Sequence, residues 1–162
     1  DVASLANSLT RRPAVVTPHV VEFSRLAGVA PEEVNARRFD IAAEFARTVN
    51  ATVLLKGVPT VVSDGSATDV SASGTPVLAT AGSGDVLGGM VATLLAQGND
   101  ARSSASAAAW VHGRAAEIAG AGQVRGVDLY DLLAALRDAW RLEAPAFGPP
   151  VLCELPAVGE SR

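Results

Sequence analysis

Aromatic side chains are scarce in this chain: Phe, Trp and Tyr together make up 4% of it, although apolar residues reach 49%. A core therefore has to be assembled mostly from Ala, Val and Leu, and such small side chains demand close backbone packing. Cysteine is nearly absent. The lone Cys153 cannot form an internal disulfide, which suits a reducing compartment and makes the cytoplasm the expected location. No stretch reaches the roughly 18 uninterrupted apolar residues of a membrane-spanning helix, and nothing near Asp1 has the layout of a signal peptide. A soluble protein with no membrane partner is expected. Basic runs are missing too, and the net charge is -4, which argues against nucleic acid as a partner. The only methionine is Met90, so residue 1 is not a retained initiator methionine.

What is present fits one domain. A chain of 162 residues can bury roughly two-thirds of the surface its unfolded form exposes, enough for a real core. Ala14 to Thr17 is a short β-branched run halted by Pro18, the pattern of a buried strand ending in a loop. Pro31 sits where a first-turn proline is tolerated, and Val34, Ile41, Phe45 and Val49 share one face of a helix expected to end near Asn50. Thr52 to Leu55 reads as a strand. Thr60 to Ser63 and Ala67 to Val70 flank Asp64-Gly65, a hairpin pattern.

Pro76 to Ala81 is expected to be extended and to run into Gly82-Ser83-Gly84-Asp85. Beyond it Val86, Met90, Thr93, Leu94 and Gln97 recur at helical spacing. A second helix is predicted from Ser103 to about Ala119, with Ala107, Trp110, Val111, Ala115 and Ile118 facing the core. A third covers Leu129 to Trp140, and both tryptophans fit core faces better than base-stacking sites. Pro145, Pro149, Pro150 and Pro156 make regular structure improbable in the Pro-rich tail, residues 143–162. Strands alternating with helices imply an α/β fold, a mainly parallel sheet covered on both faces, with ligands gathered beyond the carboxyl ends of its strands.

The richest chemistry lies in Ala79 to Asp85. Glycines before a helix leave backbone amides open and let a phosphate approach closely. The spacing is not that of a dinucleotide fingerprint, because Leu87 stands where a third glycine is needed, and no P-loop Lys-Ser/Thr pair is present. On local pattern alone, Gly82 and Gly84 shaping a turn with Asp85 as a helix cap weighs as much as an anion site. A carboxylate beside a phosphate is costly unless it handles a proton or a cation, which favours a catalytic Asp85. Lys56-Gly57-Val58-Pro59-Thr60 brings an ammonium and a hydroxyl to a strand end, though by itself a Gly-x-Pro surface turn is the simpler reading. His19 and Glu22 are spaced to share a helical face, yet no Cys/His cluster has metal spacing, and no protein metal site is assigned. His112 reads as a helix-surface or packing residue, and Cys153 as an incidental thiol.

Three segments in order carry a resemblance: Thr17 to Glu22, Leu55 to Thr60, and Gly74 to Leu87. Together they resemble the motifs of the ADP-dependent NAD(P)H-hydrate dehydratases, a family with the ribokinase-like fold. The likeness continues through Leu95 to Gly98, His112-Gly113 and Val127-Asp128-Leu129, covering most of residues 1–142 as one domain part. The family usually has asparagines near Ser71 or Ser73 and at Thr75. Its domain also begins upstream with a glycine-rich half, so this chain resembles a partial domain starting mid-way. The resemblance implies that the intact enzyme phosphorylates the ring hydroxyl of hydrated NADH or NADPH from ADP, then eliminates phosphate and leaves AMP. It places Asp85 as the proton acceptor that also contacts the hydrate, and His19 against the nicotinamide hydrate. Lys56, Gly57, Val58, Pro59 and Thr60 would contact the nucleotide, and Gly82, Ser83 and Gly84 the transferring phosphoryl group, with Mg2+ offsetting charge. A homo-oligomer is the expected assembly. A ribokinase-like kinase of a small vitamin precursor, using ATP, and a noncatalytic nucleotide-binding fragment are the competing readings.

Overall fold

The computed structural model describes residues 2–9 and 12–141. The tail and Cys153 lie outside the described residues. The elements run α1 (Val2–Leu9), β1 (Val15–Val16), α2 (Val20–Ala27), α3 (Pro31–Ala36), α4 (Arg38–Val49), β2 (Thr52–Leu55), β3 (Thr60–Ser63), β4 (Thr68–Ser71), a 3-10 turn (Pro76–Ala79), α5 (Ser83–Ala96), α6 (Ala101–Gly120) and α7 (Leu129–Ala139).

The strands form one sheet in the order β1-β2-β3-β4. Alternating side chains separate its two faces, as the two-residue strand period requires. Val53, Leu55 and Val61 pack with Phe23, Ile41, Phe45 and Val49 from α2 and α4. Leu54 and Val62 point the other way, onto Leu87 and Val91 of α5 and Ala105, Ala108 and Ala109 of α6. Helices thus cover both faces, as expected. The sheet itself is mixed: β1 and β2 are parallel, whereas β2-β3 and β3-β4 are antiparallel. The hairpin supplies both antiparallel pairings, and β1 is its only parallel partner among the described strands.

Val34, Ile41, Phe45 and Val49 are all buried as their spacing predicts, and Phe23 and Phe45 meet edge to face at 5.0 Å. The expected single helix is two. Arg37 leaves helical geometry with φ -117° and ψ 27°, separating α3 from α4, and Asn50 then ends α4 in the left-handed region. The hairpin forms with a four-residue turn in which Asp64 accepts from the Ser66 and Ala67 amides and Gly65 takes φ +87°.

Three expectations are corrected. Pro76–Ala79 is a 3-10 turn rather than extended chain, because Thr75 caps it by accepting from the Val77 amide. Trp110 and Trp140 are 44% and 49% exposed, not on core faces. The buried stripe of α6 runs through Ser104, Ala105, Ala108, Val111, His112, Ala115 and Ala116, so Ala and Ser let this helix lie close to the sheet while the bulky indole turns outward. The stripe of α5 is shifted likewise, to Ser83, Leu87 and Val91.

Candidate active site

The carboxyl end of β1 delivers Thr17-Pro18-His19, and the carboxyl end of β2 delivers Lys56. The two ends are stitched in parallel: the Lys56 amide donates to the Pro18 carbonyl at 2.9 Å, and His19 pairs with Lys56 as an isolated bridge. His19 also starts α2. Its Nδ1 accepts from the Val21 and Glu22 amides at 3.1 and 3.2 Å, while the Glu22 carboxylate accepts from the His19 amide at 2.8 Å, a reciprocal capping box. With Nδ1 acting as acceptor, the neutral ring carries its proton on Nε2, which lies 3.4 Å from Glu22 Oε1. The His19 amide holds the Glu22 carboxyl below its usual range despite partial burial, and Lys56 adds to the same effect.

Lys56 links this cluster to the glycine turn. Its ammonium is 3.8 Å from Glu22 Oε2 and so close to Gly84 that a β-carbon there would stand 3.2 Å from Nζ. Gly82 takes φ +84° as the N-cap of α5, and its carbonyl receives the Asp85 and Val86 amides at 3.0 and 3.1 Å. Asp85 is exposed in the first turn of α5. A helix start carries a positive end charge, and a second cation beside it is repelled unless an anion lies between them. Lys56 and the α5 start thus bring two positive ends together, with the Glu22 carboxylate 3.8 Å from the ammonium.

Ser83 faces inward. Its amide donates to the Thr80 carbonyl at 3.2 Å and its hydroxyl lies 3.4 Å from His112 Nε2. Thr60 donates its hydroxyl to the Gly57 carbonyl at 3.1 Å, closing the 57–60 turn, with Pro59 half-buried inside it and Val58 98% exposed at its tip. A groove of about 420 Å³ opens along Val16, Thr17, Pro18, Glu22, Arg25 and Leu26, beside His19 and not over the glycine turn.

Two residues behind these loops escaped the sequence reading of the site. His112 is 5% exposed, and burial, opposed by hydrogen bonding to the Ser83 backbone and assisted by Lys56, pushes its imidazole below the usual range. Arg38 is 6% exposed and hydrogen-bonds the Lys56 carbonyl at 3.2 Å. The His112-Gly113 dipeptide was a signal for the first; an Arg-Arg pair at a helix start gave none for the second. Among the described residues no cluster of three His, Cys, Asp or Glu side chains could hold a metal, and no helix is long and apolar enough to cross a membrane.

The sheet and the helices on both its faces define the class. A ribokinase-like superfamily protein of Enterococcus faecalis superimposes with a TM-score of 0.67 at 22% identity, over 85% of this chain and 49% of that one, so the fold is ribokinase-like. The family model for NAD(P)H-hydrate dehydratase matches residues 2–137, and the chain belongs to that family. The bifunctional NAD(P)H-hydrate repair enzyme of Thermofilum pendens is 46% identical over 120 residues, 73% of this chain and 22% of the relative. The ADP-dependent (S)-NAD(P)H-hydrate dehydratase of Neisseria meningitidis is 45% identical over 105 residues, 64% of this chain and 36% of the relative. The ADP/ATP-dependent dehydratase of Bacillus subtilis, co-crystallised with ATP and Mg2+, gives a TM-score of 0.74 at 29% identity over 79% of this chain and 47% of that one. The chain thus spans well under half the length of these curated relatives and about half of the solved structures.

Proposed function

We propose that this chain is the nucleotide-binding part of an enzyme that uses ADP to dehydrate the S form of hydrated NADH or NADPH, giving NAD(P)H, AMP and phosphate. The observation that carries the reading is the convergence of His19, Glu22, Lys56 and the Gly84-Asp85 helix start at one edge of the sheet.

Asp85, exposed in the first turn of α5, takes the proton from the ring hydroxyl as its oxygen attacks the terminal phosphorus of ADP, and the bond to the AMP oxygen breaks. The ring nitrogen's electron pair then expels phosphate and the double bond re-forms on loss of a ring proton. Lys56 and the α5 start hold the phosphoryl group through transfer, since such reactions depend chiefly on positioning and charge stabilisation. Lys56 to Thr60 line the nucleotide, and His19 presents its ring to the nicotinamide hydrate. Mg2+ carried on the nucleotide's phosphates would offset their charge, while Lys56 and the α5 start would hold the phosphoryl group.

The test is turnover of hydrated NADH by the intact protein with ADP or ATP. Recovery of dihydronicotinamide absorbance with stoichiometric AMP supports the reading. A stable phosphorylated product of another small alcohol, made from ATP, would replace it with the kinase reading.

A further inference from the structure

Arg37 and Arg38 are adjacent in sequence and opposite in environment. Arg37 is solvated and paired with Glu33 and Glu44 at 3.1 and 2.9 Å. Arg38 is buried, and among the described residues no carboxylate lies within ion-pair range of it. A guanidinium does not give up its charge, so burying one without an anion is expensive and asks for a reason.

The geometry points to one: we propose that Arg38 is a positioning residue that sets the Lys56-Gly57 turn and thereby aims the Lys56 ammonium at Gly84. Its Nη1 donates to the Lys56 carbonyl at 3.2 Å and its Nη2 to Asn35 Oδ1 at 2.7 Å, so the planar fork is held at both prongs. On the other side of the same residue the Lys56 amide donates to the Pro18 carbonyl at 2.9 Å. The backbone of Lys56 is thus pinned by its carbonyl and its amide. Gly57 supplies an independent observation: at φ +153°, any β-carbon on it would fall on the Arg38 guanidinium, so turn and fork are shaped to each other. The break at Arg37 makes this possible by starting α4 anew at Arg38, beneath the turn, with Asn35 one turn earlier as anchor. Burial lowers the affinity of this group for its proton without removing the charge, so it also adds positive potential under the loop.

The role in nucleotide binding rests on the function proposed above; the positioning itself does not. Two measurements on the intact protein separate them: amide NMR of Gly57 and Gly84 without ligand, and ADP affinity by calorimetry. Arg38→Met should move both amide resonances and weaken ADP binding at least tenfold. Arg38→Lys, which keeps one donor and the charge, should recover most of the affinity. Asn35→Ala, at an exposed position, frees one prong of the fork; it should shift the same amides in the same direction and weaken ADP about threefold, and it decides the matter if Arg38→Met does not fold. Unmoved amides in either folded variant overturn the proposal. If the parent protein fails to bind ADP, the functional reading falls, and the amide shifts still judge Arg38.

Discussion

The Lys56 ammonium, at the carboxyl end of β2, stands where a side chain on Gly84 in the first turn of α5 would begin; a β-carbon on Gly84 would sit 3.2 Å from Nζ. That spacing is tighter than an ordinary carbon contact, but the atom that would have to yield is the far end of a flexible side chain. Gly84→Ala should therefore leave stability unchanged or raise it by up to about 1 kcal/mol, since alanine is the better helix former. The displaced ammonium and the narrowed approach to the helix start should weaken ADP binding roughly tenfold, the scale of one charge-assisted contact. Thermal melting and calorimetry on the same variant check both halves, and unaltered affinity would remove Lys56 from the anion site.

Asp85 is the sharpest test of chemistry. It is exposed in the first turn of α5, where a carboxylate gains only a few tenths of a kcal/mol from the helix end. Asp85→Asn should consequently melt close to the parent, yet in the intact enzyme it should lose at least roughly a hundredfold in kcat, the contribution of a positioned acid or base. KM for ADP should change little. Full turnover in this variant would end the proton-acceptor role.

Asp64 gives a pH prediction. The Ala67 amide above all, and then Ser66 and Arg102, hold its carboxyl down to about 2 from an ordinary 3.8. The folded state binds this proton less tightly than the unfolded chain, so the turn's stabilisation is complete above the ordinary value and drains away as pH falls towards the folded one. The side chain is about a third exposed, and solvent screening limits the gain to about 1 kcal/mol. Asp64→Ala should lower the melting temperature near neutral pH, with the gap from the parent closing as pH falls from 3.8 towards 2. A gap independent of pH would assign the loss to packing instead.

Much of this site was legible because its motifs are local. Thr17 to Glu22, Lys56 to Thr60 and Gly82 to Asp85 each combine a turn residue with a polar one at a strand end or helix start, and such pairings are written in consecutive residues. The hairpin was legible for the same reason, Asp64 and Gly65 being the residues its turn needs. What escaped depends on contacts between distant segments. Nothing near Arg37 says that Arg38 will turn under a loop 18 residues away, because the two arginines differ only in what packs over them. The phase of α6 was misjudged at Trp110 because periodicity favours the largest apolar side chain, whereas close approach to the sheet selects Ala and Ser. Ser83 likewise turns inward to His112, a partner 29 residues on that no local pattern names.

His112 supplies the last prediction. It is buried in α6 behind the glycine turn, and desolvation lowers its proton affinity, with Lys56 acting the same way and the Ser83 backbone opposing. The unfolded chain therefore takes up the proton more readily than the folded one. Stability is therefore complete above the ordinary histidine value of 6.5 and falls as pH drops through it towards the folded value. The informative quantity is the difference between parent and variant. Melting temperatures from roughly pH 7 to 5 should fall for the parent and fall less steeply for His112→Asn, which keeps a polar group beside Ser83 but cannot charge. At pH 7 the variant should cost about 1–3 kcal/mol, the penalty for an imperfectly satisfied buried site. Parallel curves would show that the imidazole stays uncharged and uncoupled to folding across this range, leaving His112 a packing residue alone.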